Sequence, residues 1–170
     1  LVDLKSIRDS GLVIVADAMH GAGAGYFPQL LGGGFSQLTE IRGERNPAFP
    51  GMSQPEPVAH NLEPLFTSIK ELGAQVGLAL DGDADRIGAS DEEGRFITPL
   101  QIFALLALYR LEIKGERGPI VKSLTSTAML YKLGELYQVP IVEAPVGFKH
   151  VGIAMLEHGA LMGGEESGGF

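Results

Sequence analysis

Three carboxylates at alternate positions, Asp81, Asp83 and Asp85, are separated only by Gly82 and Ala84 and followed directly by Arg86. Charges this close repel one another unless a cation neutralises them. A hard divalent ion such as Mg²⁺ suits them, because it takes oxygen ligands in compact octahedral geometry and is commonly shared between a few carboxylates and a phosphate. Arg86 adds a planar, permanently charged fork that matches phosphoryl oxygens. Metal and guanidinium side by side point to phosphoryl transfer.

Two other readings compete for this hexapeptide. With Asp81 as the first position of a calcium loop, Asp83, Asp85 and Glu92 occupy its third, fifth and twelfth positions. The sixth is Arg86, where that loop needs glycine for its sharp turn, and the flanks read as strands rather than helices. A plain solvated acidic turn is the other reading. It is disfavoured because three aspartates at the end of an apolar strand are costly without a counterion.

A second cluster, Gly163-Gly164-Glu165-Glu166-Ser167-Gly168-Gly169, again follows a short apolar run. Glycines let a ligand approach the backbone, a carboxylate accepts two hydroxyl hydrogen bonds, and a serine donates or accepts one. Those are the needs of a sugar, against the plainer alternative of a flexible terminus with a capping serine. Between the two clusters, Gly147 precedes a helix whose first turn carries Lys149, a competent anion site. Lys122, at a strand end, could face the same cleft, although a lone lysine there is usually just solvated. Gly21-Ala22-Gly23-Ala24-Gly25 fails the dinucleotide pattern G-x-G-x-x-G at Tyr26 and reads as a tight strand-to-helix connection, with His20 a turn residue. Thr125-Ser126-Thr127 reads as a helix cap rather than a nucleophile.

The elements that must position these groups alternate between strands and helices, the pattern of a layered α/β fold. Strands are expected at 12–16, 37–41, 76–80, 87–90, 96–97, 119–124, 140–144 and 160–163. Helices are expected at 26–31, 58–72, 99–111, 127–137 and 148–157. The fold class is therefore two consecutive three-layer α/β/α domains with mixed, mostly parallel sheets, a metal-binding domain over 1–98 and a sugar-binding domain over 99–170. The stretch 46–57, with four prolines, reads as an extended surface loop. Ligands of such sheets gather at the carboxyl ends of the strands, where both clusters fall.

Composition sets the outer bounds. With 45% apolar residues the chain can bury a real core. A formal charge of −8, with basic residues scattered, excludes the positive stripe that a nucleic-acid partner requires. No cysteine is present, so there is no disulfide framework and no thiolate metal site. No apolar run is long enough for a membrane span, and no signal-peptide pattern opens the chain, so a cytoplasmic location is expected. A start at Leu1 and an end at Phe170, straight after a glycine cluster, read as a piece of something longer, with apolar surface left uncovered.

Asp81 to Arg86 resembles the metal-binding loop of the α-D-phosphohexomutases, a family that includes phosphoglucomutases and phosphomannomutases. Gly164 to Gly169 resembles their sugar-binding loop. Asp17-Ala18-Met19-His20-Gly21, the proline-rich stretch before Glu56-Pro57, and Pro145-Val146-Gly147-Phe148-Lys149 extend the resemblance over essentially the whole chain. It implies a four-domain enzyme of which this chain is similar to the second domain and most of the third. In that family a phosphoserine of the first domain donates its phosphoryl group to a sugar phosphate. The resulting bisphosphate turns over and returns the other phosphoryl group to the serine.

By that resemblance Asp81, Asp83 and Asp85 bind Mg²⁺, Arg86 steadies the phosphoryl group or a neighbouring carboxylate, Glu165 and Ser167 grip sugar hydroxyls, and Lys122 and Lys149 line the cleft. The substrates implied are glucose 1-phosphate and glucose 6-phosphate, or mannose phosphates. Glu166 in the middle of the sugar loop is more like the glucose-preferring members, since the mannose and glucosamine ones tend to carry Met or Gln there. The Ser-His-Asn-Pro phosphoserine loop of the first domain and the phosphate-clamping loop of the fourth are both missing, so the chain alone is expected to be inactive as a mutase. The alternative is a module that binds metal and sugar phosphate without chemistry of its own.

Overall fold

The computed structural model describes residues 2–170. They form two compact units, Leu1–Ile97 and Thr98–Phe170, each with its own sheet.

The first unit opens with helix α1 (Leu4–Asp9), capped by the Asp3 side chain on the Ser6 amide. Strand β1 (Val13–Asp17) follows, with helix α2 (Tyr26–Leu31), strand β2 (Gln37–Ile41), a single 3₁₀ turn at Ala59–Asn61 and helix α3 (Glu63–Leu72). Strands β3 (Val76–Leu80), β4 (Ile87–Ser90) and β5 (Phe96–Ile97) complete it. The sheet order is β2-β1-β3-β4-β5, parallel across β2, β1 and β3 and antiparallel from β3 to β5. On one face, Leu62, Leu65, Phe66 and Ile69 pack against Val15 and Ala79. Each such apolar side chain stabilises the fold by about 1.5–3 kcal/mol when fully buried.

The helix expected over 58–72 is divided in two. Pro64 sits in the first turn of α3, where it is tolerated only at a helix start. Gly73, left-handed at φ 61°, ends α3 as its position suggests. Helix α1 has no buried residue, which explains why no apolar periodicity announces it.

The second unit contains helix α4 (Pro99–Leu108), strand β6 (Ile120–Ser123), helix α5 (Met129–Tyr137), strand β7 (Ile141–Ala144), helix α6 (Phe148–His158) and strand β8 (Met162–Gly164). Thr98 and Gln101 close a reciprocal capping box at the start of α4, and the helix runs on as a π-helical turn at Tyr109–Ile113. The sheet, β7-β6-β8, is wholly parallel. Phe103, Leu111, Ile120 and Leu130 fill one side of it, and Val121, Ala144 and Val151 the other, so this unit too has three layers.

Both sheets reverse direction beside their first strand. In one, the chain leaves β1 for β2 and returns across to β3; in the other it leaves β6 for β7 and returns to β8. Such switch points open a crevice at the carboxyl ends of the strands. Asp81 follows β3, and Glu165 follows β8.

Candidate functional site

In the first unit the acidic loop is the turn of the β3–β4 hairpin, closed by the Asp81 N–H donating to the Arg86 carbonyl at 3.3 Å. Asp81 is fully buried. Its Oδ1 accepts from the backbone amides of Asp85 (2.9 Å) and Arg86 (3.1 Å), and its Oδ2 accepts from Arg86 Nε at 2.7 Å. Burial pushes this carboxyl up, but the Arg86 backbone and guanidinium bonds outweigh it and hold it below its usual value. Asp85 moves the other way. A hydrogen bond with Asp81, slight burial and the charges of Asp81 and Asp83 raise it.

Carboxylate oxygens of Asp81, Asp83 and Asp85 all lie within 4.8 Å of one another. Three hard oxygen donors in that space match the donor set of a small divalent cation. Arg86 also donates to Glu56 Oε1 at 3.2 Å and stands 3.6 Å from Asp85. The guanidinium thus braces carboxylates on both sides of the loop. Glu92 lies beyond β4 and outside the ligand cluster, which removes the calcium-loop reading.

Two segments distant in sequence hold this hairpin in place. The Ala22 N–H donates to the Gly82 carbonyl (2.9 Å), and the Gly82 N–H donates to the Pro55 carbonyl (3.0 Å). A Cβ on Gly21 would stand 2.7 Å from the Gly82 oxygen and 2.9 Å from the Asp81 oxygen, so only glycine permits this approach. The turn itself is shaped by Met19 and His20, both at positive φ, and His20 Nδ1 bonds the Glu44 carbonyl at 2.9 Å. Buried Asp17 accepts both a guanidinium bond from Arg42 Nε (2.9 Å) and the Met19 amide (2.9 Å). The proline-rich stretch is therefore more than a surface loop: Pro55 and Glu56 buttress the acidic hairpin.

In the second unit, Ser167 Oγ donates to Glu165 Oε1 at 2.7 Å, and both residues are partly exposed. Backbone bonds from Glu165 to Gly169 (3.1 Å) and from Gly168 to Glu165 (3.4 Å) curl the loop on itself. Glu166 turns back toward the sheet, where its Oε2 accepts from Ser123 Oγ at 2.6 Å. Burial raises the Glu166 carboxyl, but the Ser123 and Thr125 hydroxyls outweigh that and leave it below its usual value.

Lys122 differs from the solvated strand-end lysine. It is 1% exposed, and its ammonium donates to the Ser123 carbonyl and to Glu143 Oε1, each at 3.1 Å. The Tyr131 ring lies 5.0 Å from it, and the Tyr131 hydroxyl donates to the same Glu143 oxygen. Lys149 is exposed on the first turn of α6, after Gly147 at φ 111°. Thr127 Oγ1 accepts from the Met129 amide at 3.2 Å, but α5 begins only at Met129 with Ala128 as its N-cap residue, so the helix start expected at 127 falls two residues later. Glu56, Ser123, Glu143 and Tyr131 carry no motif of their own, and only the folded contacts bring them to the sites.

Residues 1–94 match the family model of phosphoglucomutase/phosphomannomutase alpha/beta/alpha domain II, and residues 98–170 match that of domain III. A phosphoglucomutase/phosphomannomutase of Thermococcus kodakarensis is 34% identical over 168 residues, covering 99% of this chain and 36% of its own. Archaeal relatives such as one from Methanosarcina barkeri, 34% identical over 96% of this chain and 37% of its own, are assigned as phosphoglucosamine mutases. A solved structure from Thermus thermophilus, assigned as a phosphomannomutase, superposes with a TM-score of 0.87 at 38% identity, covering 98% of this chain and 38% of that one. The chain thus spans little more than a third of the length of the curated relatives it matches.

Proposed function

Because the chain belongs to the phosphoglucomutase/phosphomannomutase family, we propose that it forms the metal-binding and sugar-binding parts of a phosphohexomutase that interconverts hexose 1-phosphate and hexose 6-phosphate, with glucose phosphates as preferred substrates. The observation that carries this reading is the convergence of three carboxylates within 4.8 Å, braced by an arginine, at a sheet switch point.

In this reading Asp81, Asp83 and Asp85 hold Mg²⁺. Bound there, the ion neutralises charge on a phosphoryl group carried by a serine that lies outside this chain. An N-acetylphosphoglucosamine mutase of Aspergillus fumigatus with the same fold, 16% identical at a TM-score of 0.69 over 98% of this chain and 37% of that one, was solved with GlcNAc-6P and magnesium. Arg86 fixes the orientation of Asp81 and screens Asp85. Glu165 accepts hydrogen bonds from sugar hydroxyls, and Ser167, now bonded to Glu165, donates or accepts a further one. Lys149 meets the anionic end of the substrate at the start of α6. Lys122, buried against Glu143, contributes its cationic charge from beneath the sugar loop. Phosphoryl transfer depends chiefly on such positioning and charge neutralisation. The serine phosphoryl passes to a free sugar hydroxyl, whose proton leaves, and the second phosphoryl group of the bisphosphate returns to the serine. This chain alone lacks that serine and is inactive in the proposal.

The test is a coupled assay of the protein at the full length of its relatives, with glucose, mannose and glucosamine 1-phosphates. Glucose 1-phosphate is expected to give the highest kcat/KM. Asp83→Asn should lower kcat by about a hundredfold or more, the scale of losing one charge-stabilising contact. It should also weaken Mn²⁺ binding measured by calorimetry. Wild-type inactivity on every hexose phosphate, with metal still bound at the triad, would favour the non-catalytic binding module instead.

A further inference from the structure

The sugar loop is glycine-rich, and a binding constellation must be held to within roughly 0.5 Å to discriminate. Glycines hold nothing by themselves. Pairing of Gly164 with Lys122 fixes where the loop leaves the sheet, but beyond it the loop's own backbone bonds are local, from Glu165 to Gly169 and from Gly168 to Glu165. At its far end Phe170 packs on Phe103, and between these points the loop's side-chain tie to the sheet is the bond from Ser123 Oγ to Glu166 Oε2 at 2.6 Å, with the Thr125 hydroxyl also acting on that carboxylate. Ser123 is fully buried at the carboxyl end of β6, and its carbonyl accepts from the equally buried Lys122 ammonium. Glu143 and the Tyr131 ring hold that ammonium in turn. A continuous polar chain, Tyr131, Glu143, Lys122, Ser123 and Glu166, therefore runs from α5 across the strand ends into the loop that carries Glu165 and Ser167.

Alternate loop residues thus serve different ends. Glu165 and Ser167 pair with each other, while the carboxylate between them is bound to the sheet. We propose that Ser123 and Glu166 form a latch that sets the placement of Glu165 and Ser167 and thereby determines which hexose phosphate the loop accepts, with Ser123 and Glu166 as positioning residues that do not touch the sugar. This rests on the sugar-loop reading above and deepens it. A middle loop residue alters selectivity through its partner on β6 rather than through a sugar contact. Hexose phosphates that differ at one hydroxyl are separated only where buried polar groups are accurately placed.

Ser123→Ala, Glu166→Ala and the double variant, made in the protein at the full length of its relatives, decide the matter when kcat and KM are measured for glucose, mannose and glucosamine 1-phosphates. Either single variant should lower kcat/KM for the preferred sugar about tenfold, mainly through KM, and flatten the preference among the three, on the scale of one hydrogen bond to a charged group. The double variant should fall no further than Glu166→Ala alone, because that single already removes every bond the carboxylate makes, the one from Ser123 included. Ser123→Thr, which keeps the hydroxyl, should restore the preference to within about twofold. Glu166→Ala lies on a partly exposed loop and is a check that does not depend on the buried Ser123 site folding unchanged.

Unchanged selectivity and KM in Glu166→Ala, or additive losses in the double variant, would overturn the latch while the mutase reading stands. A wild type that neither turns over nor binds any hexose phosphate overturns that reading and the latch with it.

Discussion

Every oxygen of Asp81 is engaged by Arg86 or by a backbone amide, whereas Asp83 and Asp85 are exposed. Asp81 is therefore fixed by the fold, while the other two carboxylates can adjust. The alternation of three aspartates is legible in the sequence, because spacing alone brings them together. The roles of Glu56 and Ser123 are not, since single acidic or hydroxyl residues carry no signal until folding sets Glu56 against Arg86 and Ser123 against Glu166. Lys122 is legible only as a position; that its ammonium is buried and paired depends on Glu143 and Tyr131. At this scale Glu166 yields a pH prediction. Its carboxyl is lowered in the folded protein, so the anchoring it contributes is fully present above the ordinary glutamate range and is lost as pH falls through the lowered value. Carboxyl-carbon NMR titration should find Glu166 below its usual midpoint of 4.5, and Ser123→Ala should move it upward. A midpoint unaffected by Ser123→Ala would remove that hydroxyl as the cause.

Among the elements, α2 and β2 match the ranges read from sequence, as do β3, β4 and β5, because each is a short apolar or alternating run bounded by turn residues. Strand β8 lies further along than expected, at Met162–Gly164, which carries the sheet directly into the glycine-rich loop that begins at Glu165. The π-helical turn after α4 leaves no trace in periodicity. What sequence could not convey is that the Gly21 turn and the Pro55 carbonyl grasp the acidic hairpin from two sides. Gly21→Ala tests that grasp. Its Cβ would meet two backbone oxygens of the hairpin at less than 3 Å, and backbone yields poorly. Affinity for Mn²⁺ should fall by about tenfold, as a shift in ligand placement on that scale implies, while far-UV circular dichroism stays unchanged. Retained affinity would show that the hairpin holds its shape unaided.

At the scale of the whole chain, the two units have cores drawn from their own residues: Val15, Leu65 and Ile69 in one, Phe103, Ile120 and Leu130 in the other. Alternation of strands and helices made that architecture readable, because apolar runs mark parallel strands buried on both faces. No helix among the described residues is long and apolar enough to cross a membrane. Leu65→Ala should destabilise the first unit by about 2–5 kcal/mol through the cavity it leaves. Hydrogen exchange should then quicken at the amides of β1 and β3 and leave those of β6 and β7 unchanged; acceleration throughout would mean that the two cores unfold as one.

The three clustered carboxylates sit on the turn of an antiparallel hairpin rather than on the parallel core. Parallel pairing of β1 with β3 joins residues more than 60 positions apart, as Ile14 does with Val76, whereas Leu80 and Ile87 meet across a gap of seven. Loop-closure entropy makes the distant pairing the slow one. The three carboxylates consequently converge on a turn whose closure costs less chain entropy than joining β1 to β3, so their geometry can form before the parallel core is joined.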